Sequence, residues 1–364
     1  MERKYRHCYV PQSLVRNWAE DGRNVAWSNP ATGDNVPSGN ITGFFHSSIA
    51  ASPLLEAVAD IDAMLTGMFR EFLKGDFSSI TSGDAFSGRE ALVFLLLRSP
   101  VTASYMEDGT DVPKKPSGMT ESDYRARIRT ADVVAALEHS TYIGLAIKDL
   151  SPVLLKAPSD RSFVIGASPL SVINPYFEKR HPVINLPRDP FILWGSVLVL
   201  PLSPSYSLCL YDSETYSVSY SENGICPLSS ADTEILNAVQ IFNSGRDGGV
   251  VFTGDGRAVH ALENKGFFRK TGPVDIYPFG ASLSAFCVRS SASDSFRRRC
   301  CSPVRDYVLH LLKYDDDHRD ALKGGNAVAE YERRVEKTEE FLPSRTAEKI
   351  LTAENNNRIR RRRR

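Results

Sequence analysis

The hydrophobic period of the chain changes near residue 149, and this change constrains the fold more than any other feature of the sequence. Before it, apolar residues recur at helical spacing, as in the stretch from Pro53 to Lys74. After it, short apolar runs such as 152–156 are broken by Pro and Gly. We therefore predict an α+β fold in which a helical segment, about 50–150, is followed by a mixed or antiparallel sheet region, about 150–260.

Two further helical stretches are expected within the helical segment. The first of them, Gly88–Arg98, is apolar almost all round and should be deeply buried. Thr120 followed by Asp123 resembles a capping box and predicts a helix to about His139. Another helix is expected to follow it, ending at Asp149.

The remaining elements are short, and they divide the chain into three parts. Apolar runs between turn residues predict strands at 24–27, 152–156, 162–165, 196–200, 207–211 and 250–252, and a helix that begins near Ser230. We assign residues 1–260 to one α+β domain, 261–354 to a mostly helical, charged extension and 355–364 to a disordered basic tail. The N-terminal strip is expected to pack near the sheet.

Composition excludes several broad classes of protein. Lys plus Arg and Asp plus Glu both number 44 in 364 residues, which argues against a generic nucleic-acid-coating role. No apolar stretch is long enough to cross a bilayer, and the N-terminus lacks an apolar signal core. The six cysteines show no zinc-like spacing. We expect a cytoplasmic protein with no membrane partner.

Four blocks of sequence carry a family resemblance. His7–Trp18 reads HCYVPQSLVRNW, Phe163–Pro169 reads FVIGASP, and Pro201–Pro204 reads PLSP. Asn237 and Gln240 follow on a predicted helix that precedes a strand. Together these blocks resemble the uncharacterised, mostly bacterial family DUF4238, whose corresponding blocks read H-x-Y-V-P-Q-x-Y-L-R-x-F, F-[IV]-x-[SG]-D-x-P, P-L-S-P and a late N-x-x-x motif.

The resemblance spans roughly residues 5–255 and departs from the family pattern at one important position. Where the family usually has Asp, this chain has Ala167. If that Asp is catalytic or a metal ligand in relatives, this chain is expected to be inactive. The family supplies no reaction, so the function must be argued from the residues themselves.

His7, Gln12 and Arg16 are the leading functional candidates. On a helix that continues after Pro11, Gln12 and Arg16 stand four residues apart and share a face. A His can act as acid or base near neutral pH, and the fork of an Arg matches a phosphate. The alternative is that His7 and Arg16 bond to loop carbonyls and fix the N-terminus onto the core.

A second set of candidates lies at the end of a predicted strand and on the helix that follows it. Ser168 and Asn174 belong to a strand end that leads into a loop, a common place for binding groups. Asn237 and Gln240 join them through the family resemblance. A purely structural turn is the competing interpretation of this segment.

Three classes of function remain open. The first is a nucleic-acid or nucleotide phosphodiester hydrolase of bacterial defence against phage, with His7 as acid or base and Arg16 on phosphate. Such chemistry would be compatible with a divalent metal, although the sequence shows no metal-ligand motif. The second is a non-catalytic sensor that recognises a phage or host component, with a protein as partner. The third is a scaffold that oligomerises through its charged C-terminal helices.

Overall fold

The computed structural model of the chain describes most of its first 252 residues and a short segment beyond them. The described residues are 5–29, 34–49, 52–82, 86–99, 117–148, 150–173, 195–220, 224–244, 249–252, 283 and 285–288. Asn174, the predicted C-terminal helices and the basic tail lie outside these residues.

Short strands and turns make up the N-terminal strip. Strand β1 (Tyr5–Cys8) pairs antiparallel with β4 (His46–Ile49), which places His7 opposite Ser47. Between them lie helix α1 (Gln12–Val15), two 3-10 turns (Arg16–Trp18 and Ile41–Gly43) and the hairpin β2 (Asn24–Asn29) and β3 (Asp34–Asn40).

The described part of the helical segment contains four helices, and the second of them, a single turn, was not predicted. They are α2 (Ser52–Phe72), α3 (Ser78–Thr81), α4 (Phe86–Leu97) and α5 (Glu121–Ala146). Gly75 ends the first of them at a φ of 83°, and its amide donates to the carbonyl of Phe72 at 2.9 Å. The all-apolar stretch 91–97 of α4 is buried, as its composition predicts.

Helix α5 confirms the predicted start and corrects the predicted end. The Asp123 amide donates to Thr120 Oγ1 at 3.1 Å, and the Thr120 hydroxyl donates to the Asp123 carboxylate at 2.6 Å. A break near His139 was expected, but the helix runs on as one element. The hydroxyl of Ser140 donates to the carbonyl of Leu137, so this residue is satisfied within the helix.

In its described residues, the second half of the chain contributes strands to a five-stranded sheet, a four-stranded sheet and a separate antiparallel pair, and it includes one helix. Its elements are β5 (Ser151–Lys156), β6 (Ile165–Gly166), β7 (Ser171–Ile173), β8 (Val197–Pro201), β9 (Tyr206–Tyr211), β10 (Tyr216–Val218), β11 (Ile225–Pro227), α6 (Ser230–Asn243), β12 (Val250–Phe252) and β13 (Phe286–Val288). The larger sheet has the order β11-β5-β9-β8-β7 and is antiparallel except for the parallel pair β11 and β5. The fold is therefore α+β, as predicted.

The hairpin β2–β3 of the N-terminal strip belongs to the four-stranded sheet, whereas β1 and β4 form a two-stranded sheet of their own. The order of the four-stranded sheet is β3-β2-β12-β6, so the early hairpin pairs antiparallel with a strand more than 200 residues later. Strand β6 is shorter than the predicted 162–165, because the backbone of 162–164 bonds partly to a side chain of α6 and not to another strand. None of the described helices combines the length and apolarity that a bilayer crossing requires.

A buried histidine and arginine cluster as candidate functional site

The side chain of His7 lies in the interior of the protein. It is 1% exposed, and neither ring nitrogen has a hydrogen-bond partner in the described part of the chain. Burial, together with the nearby charges of Arg98 and Arg129, lowers the pKa of His7 to about 3. His7 is therefore a neutral imidazole at physiological pH, with one N–H donor and one nitrogen acceptor.

Arg98 is fully buried at the end of helix α4. Its amide donates to the carbonyl of Phe94 at 2.9 Å, and its guanidinium carbon lies 5.2 Å from the centre of the Phe94 ring. Nη1 lies 2.7 Å from Oδ1 of Asp62 on α2. Among the described residues, Nε and Nη2 have no hydrogen-bond partner. Each buried N–H without a partner costs about 1–3 kcal/mol, so this group is unusual in a folded protein.

Arg129 of helix α5 lies next to both Arg98 and Tyr9. Its guanidinium donates through Nη2 to the carbonyl of Arg98 and lies 6.0 Å from the centre of the Tyr9 ring. Tyr9 comes two residues after His7, and its own amide donates to the carbonyl of Phe45. Helices α4 and α5 and strand β1 therefore meet at one place, and we call His7, Arg98, Arg129 and Asp62 the cationic cluster.

Asp62 is the acidic member of the cationic cluster and the one nearest to water. Its side chain is 26% exposed, whereas Arg98 is fully buried. Burial raises the pKa of Asp62, although the positive charge of Arg98 acts in the opposite direction. The carboxylate reaches Arg98 through one close contact and not through a two-point fork.

The turn that contains Ala167 lies beside the cationic cluster. The Ser168 hydroxyl donates to the Ser99 hydroxyl at 3.1 Å, and Ser99 directly follows Arg98. Ala167 is fully buried, and its amide donates to Ser244 Oγ at 3.1 Å and to the carbonyl of Gly249 at 3.2 Å. Ala167 is thus one residue from a contact with the residue that follows Arg98 at the end of helix α4.

Asn237 and Gln240 hold the backbone of this turn through their amide groups. Asn237 accepts from the amide of Val164 at 3.0 Å and donates to the carbonyl of Ser162 at 2.9 Å. Gln240 accepts from the amide of Gly166 at 3.1 Å and donates to the carbonyl of Pro169 at 2.8 Å.

Helix α6 also lies so close to position 166 that only glycine fits there. A second N–H of Gln240 donates to Ser171 Oγ at 2.9 Å, so both donors and the acceptor of its amide are used. A Cβ at Gly166 would lie 2.1 Å from Ser244 Oγ and 2.7 Å from the carbonyl oxygen of Gln240, so only glycine fits there. We call Asn237, Gln240 and Ser244 the amide clamp.

The blocks that carry the family resemblance are joined by hydrogen bonds. The indole N–H of Trp18 donates to the carbonyl of Phe163 at 2.9 Å, and the side-chain amide of Asn17 donates to the carbonyl of Leu202 at 2.6 Å. Asn237 adds its bond to Val164. The N-terminal block therefore packs directly on two later blocks, although about 150 residues or more separate them in sequence.

The predicted candidates occupy different environments. Arg16 is exposed on the 3-10 turn, and Gln12 is half-buried with its amide donating to Cys8 Sγ at 3.5 Å. His7 and Ala167 are both buried, whereas Asn174 lies outside the described residues. Arg16 is thus exposed and His7 is buried, and the arginines near the His7 ring are Arg98 and Arg129.

Sequence reasoning missed Arg98, Arg129 and Asp62. One signal could have indicated Arg98, because a charged residue directly follows the fully apolar run Ala91–Leu97. Nothing comparable distinguishes Arg129 from Arg125 on the same helix. In the described part of the chain, no group of three or more His, Cys, Asp or Glu side chains is arranged to hold a metal ion.

Comparison with known proteins gives one family match. Residues 114–251 match the DUF4238 family, which is described as a protein of unknown function. The match covers α5, both strands of the Ala167 turn and the amide clamp, and it supports the resemblance carried by the three later sequence blocks. The block His7–Trp18 lies outside the matched residues. No curated protein and no solved structure matches the chain.

Proposed function

We propose that this protein, of which residues 114–251 match the DUF4238 family, binds the phosphate group of a nucleotide or nucleic acid at the cationic cluster. It would act as a binding module and not by catalysing a reaction. The observation that carries this proposal is the buried guanidinium of Arg98 beside the buried ring of His7. Both have nitrogen atoms without a hydrogen-bond partner in the described part of the chain.

Phosphate oxygens suit these nitrogen atoms. A guanidinium binds a phosphate through two parallel N–H bonds, and Nε and Nη2 of Arg98 form one such edge. The neutral His7 ring offers one further N–H donor. Because the group is desolvated, each of these bonds would be stronger than the same bond at the surface.

The pKa of His7 favours binding over catalysis. A general acid or base works best when its pKa is near the operating pH, and a pKa of about 3 makes His7 a weak base. A bound anion would raise this pKa, because it favours the protonated ring. His7 would then respond to the ligand, while Arg98 supplies the positive charge.

A phosphodiester hydrolase of bacterial defence against phage is the second candidate. The contact between Ser168 and Ser99 supports it, because it brings the turn with the family acid position next to Arg98. On this hypothesis Ala167 leaves the chain without its acid, and Ala167→Asp should create activity. Hydrolysis of a phosphodiester model substrate, with and without a divalent metal, checks this variant against the unchanged chain.

Binding is tested with AMP and adenosine, which differ only in the phosphate. Isothermal titration should show AMP binding to the unchanged protein and no binding of adenosine. Arg98→Lys loses the planar fork and should weaken AMP binding by roughly a factor of ten or more. Arg70→Lys, an exposed arginine on α2, is the matched control and should bind AMP normally.

Two results would contradict the proposal. One is the absence of AMP binding by the unchanged protein, and the other is equal binding by the Arg98→Lys and Arg70→Lys variants. If a phage or host protein binds instead, and Arg98→Lys leaves that complex unchanged, the protein is a sensor of a protein partner.

A cytoplasmic location also belongs to this proposal. Cys8, Cys209 and Cys226 are free thiols, as expected in a reducing compartment. Phosphate-bearing ligands such as nucleotides would be available there.

A further inference from the structure

We infer that Asp62 is a displaceable counter-ion, which occupies Arg98 until a ligand anion takes its place. This inference rests on the proposed function, since it concerns how the same site is regulated. Asp62 would compete with the ligand and thereby set the affinity of the site.

The geometry of the contact supports displacement. Asp62 Oδ1 and Arg98 Nη1 are 2.7 Å apart, yet neither atom meets the angular requirements of a hydrogen bond. A carboxylate that served only to neutralise Arg98 would be expected to form the two-point fork that this pair prefers. Here one edge of the guanidinium is left to other acceptors.

The positions of the two side chains determine which of them can move. Arg98 is fully buried, and its carbonyl is held by Arg129. Asp62 is 26% exposed, so its carboxylate can turn toward water with a small change of side-chain torsion. Its backbone stays fixed, because the Thr66 hydroxyl donates to its carbonyl at 2.7 Å and also contacts the Ser13 hydroxyl at 2.6 Å.

Displacement also avoids an electrostatic penalty. A carboxylate and a phosphate that both stayed beside one buried guanidinium would repel each other in a region of low dielectric. If the carboxylate leaves for water, one negative group replaces another at Arg98. The site therefore exchanges its internal anion for an external one.

Asp62→Asn tests the inference with inorganic phosphate as the probe. The variant keeps the size of the side chain and removes its charge, so phosphate should bind about tenfold more tightly or better, which corresponds to about 1.4 kcal/mol. Asp60→Asn, which removes an exposed charge from the same helix, is the matched control and should leave the affinity unchanged. Isothermal titration at constant ionic strength measures all three proteins.

Loss of the ion pair is expected to destabilise Asp62→Asn, and a second measurement uses that effect. Phosphate should raise the melting temperature of Asp62→Asn more than that of Asp60→Asn, because the anion takes the place of the lost carboxylate. The control corrects for the general stabilisation of folded proteins by phosphate. If the variant is unfolded in plain buffer, phosphate should restore its fold.

The outcomes separate the two claims. If neither the unchanged protein nor Asp62→Asn binds phosphate, the proposed function fails. If the unchanged protein binds phosphate and Asp62→Asn binds it equally or more weakly, the counter-ion inference fails alone. Equal effects of phosphate on the melting of Asp62→Asn and Asp60→Asn would overturn it as well.

Discussion

The cationic cluster and the amide clamp are both buried and polar, but they differ in how well their groups are satisfied. In the amide clamp, all three hydrogen-bonding groups of the Gln240 side chain have partners within the chain. In the cationic cluster, both ring nitrogens of His7 and two nitrogens of Arg98 have none among the described residues. Satisfied polar groups stabilise a fold, whereas unsatisfied ones cost stability and need another explanation. Burial of polar residues alone would not have distinguished a structural element from a candidate site.

The largest effect that follows from this comparison is a loss of stability in acid. The pKa of His7 is about 3 in the folded protein and about 6.5 in the unfolded chain, so the unfolded chain binds a proton first as the pH falls. Above pH 6.5, His7 is neutral in both states and does not lower the free energy of unfolding. As the pH falls from 6.5 toward 3, the free energy of unfolding decreases by up to about 1.4 kcal/mol per pH unit.

The variant His7→Leu isolates the effect of His7. Between pH 6.5 and 4.5, the free energy of unfolding of the variant should fall by about 2 kcal/mol less than that of the unchanged protein, because Leu takes up no proton. At pH 7 the variant should be about as stable as the unchanged protein, since His7 makes no hydrogen bond to the described residues. Urea unfolding at several pH values measures this, and identical pH dependences of the two proteins would mean that His7 is exposed or paired in solution.

Gln240→Ala should affect the amide clamp more severely than a similar change elsewhere. The variant leaves the Gly166 amide, the Pro169 carbonyl and the Ser171 hydroxyl without their partner in the interior. The expected loss is about 3 kcal/mol or more in the free energy of unfolding. Gln12→Ala, which removes a half-buried amide bonded only weakly to sulfur, is the control and should cost less than about 1 kcal/mol. Equal losses would remove the distinction between the two regions.

Asn17→Ala tests the smallest of these effects, the attachment of the N-terminal block to the sheet. The variant removes one hydrogen bond to the Leu202 carbonyl and should cost about 1 kcal/mol in unfolding free energy. Arg16→Ala, at the exposed neighbouring position, should stay within about 0.5 kcal/mol of the unchanged protein. If Arg16→Ala destabilises the protein more than Asn17→Ala does, Arg16 has a role that the structure does not reveal.

The local patterns of the sequence predict much of the fold. Helix α2 follows from apolar spacing, helix α4 from a stretch that is apolar almost all round, and strands β5, β8 and β9 from short apolar runs. Sequence reasoning placed the end of α5 wrongly, because it cannot show that Ser140 is satisfied inside the helix. It overestimated β6, because the backbone there bonds to Asn237, which lies about 70 residues further along the chain.

The candidate site is less accessible to sequence reasoning than the fold. Residue type and resemblance predict His7 as a site residue, whereas the arginines near its ring come from two helices that meet only in the folded chain. Arg16 was the predicted phosphate-binding arginine, but it is exposed, whereas Arg98 is fully buried. The roles of His7, Gln12, Arg16 and Ala167 in catalysis stay predictions.

The most direct test of the phosphate site is the pKa of His7 with and without ligand. Nuclear magnetic resonance of the ¹⁵N-labelled imidazole rings, with His7→Leu to assign the signal, follows this titration in inorganic phosphate and in chloride at equal ionic strength. Binding of phosphate at the cationic cluster predicts a pKa near 3 in chloride and a value raised by more than about one unit in saturating phosphate. A pKa that is the same in both salts would contradict phosphate binding at the cationic cluster, because no anion would then have reached His7.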